Sequence, residues 1–364
     1  MLKLLAISKK WRNLWQNEEF MSDVRHELWR NFVVPVLAII FALAVGALIL
    51  TLTGYNVVKA YGALWQGVFG SKVNVGEAFL RSTPLILIGA GIAIAFRCGF
   101  WNIGAEGQFY AGAAAGTFIA LTFVNLPSWA GIPIALVIGF VAGAFWGALA
   151  GFLKVKFCLN EVVTTIMMNY IAVGLVGYLV TGPMQEAMRE NPQTDEIIES
   201  FVIGRIFPTS RVHYGFVIAV AVAIIATIIL FRTPLGYSMR AVGYNPEAAR
   251  HAGINVPLHL VTAALLSGGS AGLAGAIEVL GVTGRLFENL SPGYGFEGIA
   301  VSLLVNNHPL ATIISGLLFG ALGAGSQVMQ LNARVPAVLT FIIQGLIIAF
   351  LISFRYLDKN TGNK

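Results

Sequence analysis

The sequence predicts an all-α polytopic membrane protein, and three observations carry that reading. Hydrophobic residues make up 57% of the 364 residues and charged ones only 11%, against about 25% charged in a soluble domain. Apolar stretches near the ~20 residues needed to cross a bilayer recur along the chain, and mean hydropathy is +0.78. The basic residues follow those stretches instead of gathering in one patch, which argues against nucleic acid as the reason for the +6 formal charge.

Residues 1–31 mix Leu4, Leu5, Trp11, Leu14, Trp15, Phe20 and Trp29 with Lys9, Lys10, Arg12, Arg25 and Arg30. That pattern suits an amphipathic helix lying at the inner membrane surface, and without an early apolar core and small-residue cleavage site no cleaved signal peptide is expected. Residues 32–354 form the transmembrane domain, with about ten spans expected near 32–53, 77–96, 102–124, 129–153, 162–181, 213–231, 258–280, 294–306, 309–328 and 336–354. The eighth is too short to cross comfortably and reads as a half-helix, tolerated at membrane depth only inside protein. Residues 355–364 form a tail.

With both termini inside, the inner segments hold 15 of the 23 lysines and arginines, among them Arg97, Lys154, Lys156, Arg232, Arg240 and Arg250. The expected location is the cell (cytoplasmic) membrane. The longest outer loop, residues 181–212, carries Glu186, Glu190, Asp195, Glu196 and Glu199 with three prolines; it reads either as a docking surface or as a solvated connector. Glycines recur every fourth residue at 139, 143, 147 and 151, and in pairs at 112 and 116, 268 and 272, and 316 and 320. Such faces let helix backbones approach closely, whatever the protein does.

Between the sixth and seventh spans lies a polar island, residues 232–256. Asn245 reads as an N-cap, Pro246 as the first helical residue, and Glu247 to Ala252 as one short helix closed by Gly253, with turns expected at the glycines on either side. Three further constellations carry polar groups into the membrane. Asn102 opens the third span as a cap, with Glu106 and Gln108 one turn in. They either serve the helix terminus or face a translocation route, because a carboxylate in a span is costly unless it meets a partner or water. Asn160, Glu161, Thr165, Met168 and Asn169 open the fifth span, the last four at spacings that share one face; that stripe is either pore-facing or an interhelical contact. Glu297 follows the interrupted Ser291-Pro292-Gly293 backbone into the eighth span, where freed backbone groups can meet a ligand, although it also fits a simple first-turn acid. Glu278 reads as snorkelling or capped at the end of the seventh span.

Cys98 and Cys158 form no disulfide framework, and His26, His213, His251, His259 and His308 are too scattered for a metal site. No phosphate-binding Gly-x-x-x-x-Gly-Lys-Ser/Thr loop occurs, so no ATPase can be assigned to the chain itself. No nucleophile and base stand at catalytic spacing, so no enzyme activity is expected.

The run from Arg240 to Ile254, Arg-Ala-x-Gly-x-Asn-x-x-Ala-Ala-x-x-x-Gly-Ile, resembles the cytoplasmic coupling loop of bacterial ATP-driven importer permeases of the sugar, nucleoside and branched-chain amino acid group. Asn102-Ile103-Gly104-Ala105-Glu106-Gly107-Gln108 resembles a signature of the nucleoside and simple-sugar branch, and Asn160-Glu161-Val162-Val163 is similar to a segment of the same family. The resemblance covers most of residues 80–330. It implies a type II ABC importer permease fold and nucleosides or simple sugars as solute. The implied partners are a second, unlike permease, an extracellular solute-binding lipoprotein, and a cytoplasmic ATPase subunit that binds ATP and Mg. Coupling would then fall to Arg240, Gly243, Tyr244, Asn245, Pro246, Glu247, Ala248, Ala249 and Gly253, and the pathway to Asn102, Glu106, Gln108, Asn160, Glu161, Asn169 and Glu297. The competing class is an ion-coupled secondary transporter, which requires carboxylates near the midplane.

Overall fold

The structure, a computed structural model, describes residues 33–361; the amphipathic helix expected over residues 1–31 lies outside them. Among the described residues the regular elements are helical, with only two isolated antiparallel bridges, Gln193 with Phe287 and Arg205 with His213. The chain divides into two compact units.

The first unit pairs α1 (Val34–Leu52) with α13 (Ala337–Thr361). Val34, Ala38 and Ala42 on one helix and Ile343, Ile347 and Leu351 on the other are buried at four-residue spacing, which is one helix face. Phe41 packs edge-on against Phe354 with ring centroids 5.3 Å apart. The last helix continues to Thr361, so most of the expected tail is helical.

The second unit holds α2 (Val57–Phe69), α3 (Lys72–Arg97), α4 (Ala105–Thr122), α5 (Ser128–Phe157), α6 (Glu161–Thr181), α7 (Gly215–Arg232), α8 (Pro234–Tyr244), α9 (Pro246–His251), α10 (Val256–Glu278), α11 (Tyr294–Leu304) and α12 (Thr312–Ala333). Six of its helical stretches are long and apolar enough to cross a membrane: α3, α5, α6, α7, α10 with its π-turn extension to Thr283, and residues 309–333. Among the described residues there are three shorter apolar helices, over Val36–Leu52, Tyr294–Leu304 and Val338–Leu351. The expected half-helix is therefore present as α11. α2 was not anticipated, and α3 begins at Lys72, where Ser71 caps it by accepting from the Asn74 N–H.

Burial separates inner from outer helices. α3 and α10 are 83% and 72% buried over their most apolar windows, whereas α6 and α7 are 28% buried. The inner helices meet their neighbours through small residues, and α5, α4 and α10 meet along glycines. A Cβ on Gly143 would lie 2.4 Å from the Gly268 carbonyl oxygen, one on Gly272 2.4 Å from that of Gly139, and one on Gly112 2.1 Å from that of Gly272. The four-residue glycine spacing is thus a backbone-to-backbone seam. The same holds where Gly320 of α12 meets the backbone of α3 at Ala78 and Ser82.

Candidate functional site

The seam brings the starts of two helices into the protein interior. α4 opens with Gly104 as its N-cap residue, not Asn102 as the sequence suggests. Asn102 is fully buried; its side-chain oxygen accepts from the Gly104 N–H at 3.0 Å and from the Gln108 amide at 3.0 Å. Its amide in turn donates to Gln108 Oε1 and to Ser267 of α10, both at 2.9 Å. Asn102 and Gln108 are therefore satisfied by each other and tie α4 to α10.

Glu106 is also buried. Its carboxylate accepts from the Gly295 N–H at 2.7 Å and from the Ser291 hydroxyl, so it sits at the N-terminus of α11, where unsatisfied N–H groups favour negative charge. Tyr110, one turn further on, accepts from the Ser291 N–H at 3.1 Å. Two acid-and-hydroxyl contacts thus hold the half-helix against α4.

The polar face of α6 closes the other side. Asn169 accepts from the Gly107 N–H at 2.8 Å and donates to the Ile103 carbonyl at 3.0 Å, and Thr165 accepts from the Ile103 N–H at 3.2 Å. Of the two readings the sequence left open, the interhelical contact describes Thr165 and Asn169. Glu161 pairs with Lys154, and Asn160 caps the helix at an exposed end, accepting from the Val162 N–H at 2.9 Å. Glu297 lies in the first turn of α11, half-buried, and Glu278 is buried at 7% exposure without a cap on its carboxylate. The expected snorkelling of Glu278 is thus corrected: the chain continues past it as a π-turn, which keeps the side chain inside.

The 232–256 segment contains two helices where the sequence suggests one. Thr233 caps α8, accepting from the Gly236 N–H at 3.2 Å, and Asn245 caps α9, accepting from the Ala248 N–H at 3.0 Å. Gly236 and Gly243 lie within α8 because of close packing, not turning: a Cβ on Gly243 would fall 2.1 Å from the Arg97 carbonyl oxygen. Gly253 does turn, with φ +82°. Gly243, Tyr244, Asn245, Pro246, Glu247 and Ala248 face outward, and Glu247 pairs with Arg250 at 3.4 Å on the surface. Ala249 and Arg240 do not share that exposure.

Arg240 instead places its guanidinium 5.3 Å from the Phe231 ring centre. Arg97 lies 5.9 Å from the same ring, and His308 stacks on it at 5.0 Å. Arg97 also donates to the carbonyls of Asn306 and Asn307, at 2.8 and 3.1 Å, beyond the end of α11. Phe231 thus joins α8 and α3 by cation–π contacts and the segment after α11 by the stacked His308 ring. A lone Phe before Arg232 gives no sequence signal of this, since its partners come from three separate segments.

The 181–212 loop is folded, not merely solvated. Thr194, Ile197 and Ile203 donate backbone N–H groups to Leu286, Gly284 and Leu280, and Phe201 is fully buried against Gly131. Arg285 pairs with Glu186 and Glu196, each at 3.2 Å. Glu186 is held below the usual carboxylate range by the Gln193 side chain, with further help from Asn191 and Arg285. His213, at the loop's end, is pushed down to about 4 by burial and by the Arg211 charge. Met188 and Phe207 project from the loop.

An interior of broken helices clamped by side-chain amides and carboxylates, with an exposed capped helix between two apolar ones, defines a multi-pass membrane permease. The chain belongs to the family described as branched-chain amino acid transport system / permease component, which it matches over residues 74–352. It is 37% identical over 326 residues to the guanosine ABC transporter permease protein NupP of Bacillus subtilis, covering 89% of this chain and 93% of that one. It is 34% identical over 355 residues to the glucose ABC transporter permease protein TsgB13 of Haloferax volcanii, covering 94% and 93%. It is also 32% identical over 331 residues to the nucleoside ABC transporter permease protein NupB of Lactococcus lactis, covering 88% and 91%.

Proposed function

We propose that this chain is the membrane-spanning subunit of an ATP-driven importer that carries nucleosides, or related simple sugars, across the cytoplasmic membrane. A separate ATPase subunit supplies hydrolysis, an external binding protein delivers the solute, and a second, unlike permease completes the pathway. The solute class rests on relatives named for guanosine, glucose and nucleosides at 32–37% identity. The full reading has ten crossings, both termini inside, and the 232–256 segment facing the ATPase.

The observation that carries the coupling role is the exposed rim of residues 243–248 on a base locked into the bundle. α8 packs against the α3 C-terminus at Gly243, and Arg240 and Arg97 share the Phe231 ring. A push on α9 is therefore transmitted to the ends of α3, α7 and α11 instead of being absorbed by a loose loop. Through α11 it reaches Glu106, and with it the start of α4 held by Asn102, Gln108 and Asn169. At the opposite face the folded 181–212 loop, with Met188 and Phe207 projecting, suits docking of the binding protein.

Uptake of radiolabelled guanosine and glucose in cells with and without the gene, before and after collapse of the proton gradient at maintained ATP, tests the reading. Gene-dependent uptake that survives collapse is expected; its loss on collapse would favour an ion-coupled carrier. Glu247→Arg and Ala248→Trp should each abolish that uptake, by at least about tenfold, while membrane abundance stays at the wild-type level. Both positions are exposed, so neither change has a core to disrupt.

A further inference from the structure

Half-helix α11 is gripped at both ends by residues that flank the turn between α3 and α4. Arg97 is the last residue of α3, and Glu106 lies in the first turn of α4. Glu106 holds the start of α11 by accepting from the Gly295 N–H at 2.7 Å. Arg97 holds the other end: its Nε donates to the Asn307 carbonyl at 3.1 Å and its Nη2 to the Asn306 carbonyl at 2.8 Å. An acid at the start of a helix and a cation at its end each match the sign of the helix dipole.

The end that Arg97 holds is built as a stiff handle. Asn306 and Asn307 stand in succession in the left-handed region, at φ +56° and +53°, which residues other than glycine keep only where their surroundings hold them. Their N–H groups return to the Leu303 and Ser302 carbonyls at 3.1 and 2.9 Å, and the Ser302 hydroxyl donates to Asn307 Oδ1 at 3.0 Å. Their own carbonyls are taken by the Arg97 fork.

The backbone of the same arginine meets the exposed 232–256 segment. A Cβ on Gly243 would fall 2.1 Å from the Arg97 carbonyl oxygen, so α8 rests on the end of α3 with no side chain between them. Around the nearby Phe231 ring, Arg240 and His308 keep buried nitrogens, Nε and Nδ1, without a hydrogen-bond partner, and the hydrogen bonds that cross from one element to the next are those of Arg97.

We propose that Arg97 is the positioning residue through which the 232–256 segment moves α11. Displacement of α8 shifts the end of α3 at the Arg97 backbone, and the guanidinium carries the Asn306–Asn307 handle with it. The inference rests on the importer reading above and assigns the transmission within it to one residue, which meets neither solute nor ATPase. Because α11 is one unbroken helix of 11 residues, a pull at the handle is felt at Gly295, where Glu106 holds α11 to α4.

The test is a ratio measured on the complete transporter, reconstituted in proteoliposomes with its ATPase, second permease and binding protein. The ratio is solute imported per ATP hydrolysed, for whichever of guanosine and glucose the wild type imports. Loss of folded complex lowers import and hydrolysis together and leaves the ratio unchanged, so a purely structural role for Arg97 would not move it. Arg97→Gln, which removes both charge and fork, should lower the ratio at least about fivefold, the low end of a coupling between two sites. Arg97→Lys keeps the charge at the helix end and loses the fork, and should restore part of it. A wild-type ratio in Arg97→Gln would overturn the assignment while leaving the importer reading intact. A wild-type complex that imports neither solute on ATP would sink that reading and the assignment with it. If Arg97→Gln does not assemble, Arg97→Lys is compared with wild type directly: a lowered ratio supports the assignment and an equal one overturns it.

Discussion

The glycine seam and the clamped helix starts lie side by side on α4 and α10, yet they hold the protein together by opposite means. Along the seam, Gly112, Gly143 and Gly272 bring backbones so close that no side chain fits, and adhesion is dispersion spread over many atoms. A few residues away, Asn102, Gln108 and Ser267 tie the start of α4 to α10, and Asn169 ties α6 to α4, by discrete hydrogen bonds. A seam of that kind tolerates no added volume. A hydrogen-bonded clamp tolerates volume poorly as well, but it can open and re-form, which a transporter's moving parts need. The contrast suggests that α4, α5 and α10 move as one body, while α6 and α11, held to α4 by the hydrogen bonds of Asn169 and Glu106, are the pieces that can part.

The largest effect should come from filling the seam. Gly272→Val places two methyl groups where even a Cβ would be 2.4 Å from the Gly139 carbonyl oxygen. Overpacking costs about 1–3 kcal/mol in well-packed cores and sometimes more. Thermal unfolding of purified protein should show that loss together with low membrane abundance; an unchanged melting temperature would mean the two helices separate easily and the contrast is false.

Breaking the clamp should cost less stability and more function. Asn169→Ala leaves the Gly107 N–H and the Ile103 carbonyl without their partner, a penalty of about 1–3 kcal/mol for the buried donor. The expected outcome is folded protein with uptake reduced severalfold. Full activity at reduced stability would make the clamp merely structural.

The difference in mechanism explains what was readable in the sequence. Four-residue glycine spacing is local, so the seam on α5 and α10 could be read directly, as could the Asn245 cap and the half-helix α11 with its Gly293 start. Asn102 and Glu106 were visible as polar intrusions, but their partners were not, because Ser267, Gly295 and Ser291 are more than 150 residues away in sequence. The Phe231 stack is harder still, since each of its residues alone looks like ordinary membrane-edge chemistry. α8 was hidden by its own glycines, which signal turns by composition and close packing only in three dimensions.

The folded 181–212 loop offers a pH test of intermediate size. His213 is buried and neutral, its Nδ1 accepting from the Gly215 N–H at 3.1 Å, with Arg211 close enough to disfavour a second positive charge. Its affinity for a proton is depressed in the fold, to about 4, and ordinary, about 6.5, when unfolded. The unfolded segment therefore binds more protons between those values, so the stabilisation is complete above about pH 6.5 and is lost as pH falls towards 4. The protection factors against hydrogen exchange at Ile203 and Tyr214, whose N–H groups are bonded to Leu280 and Gly204, should fall over that range once the intrinsic pH dependence of exchange is divided out. His213→Phe should remove the dependence, whereas an unchanged profile would place the sensitivity elsewhere.

The smallest effect separates glycine as a residue from glycine as a contact. Gly174 lies inside α6 with nothing within 4 Å of where a Cβ would stand. Replacing it by Ala removes backbone freedom from the unfolded chain and adds no clash, so Gly174→Ala should stabilise by about 0.4–1 kcal/mol. A small rise in melting temperature would confirm that the seam glycines are required by what they touch. A loss comparable to that of Gly272→Val would mean that α6 presses against something close at this face, such as a second permease, and that the line between seam and surface has been drawn one helix too far inward.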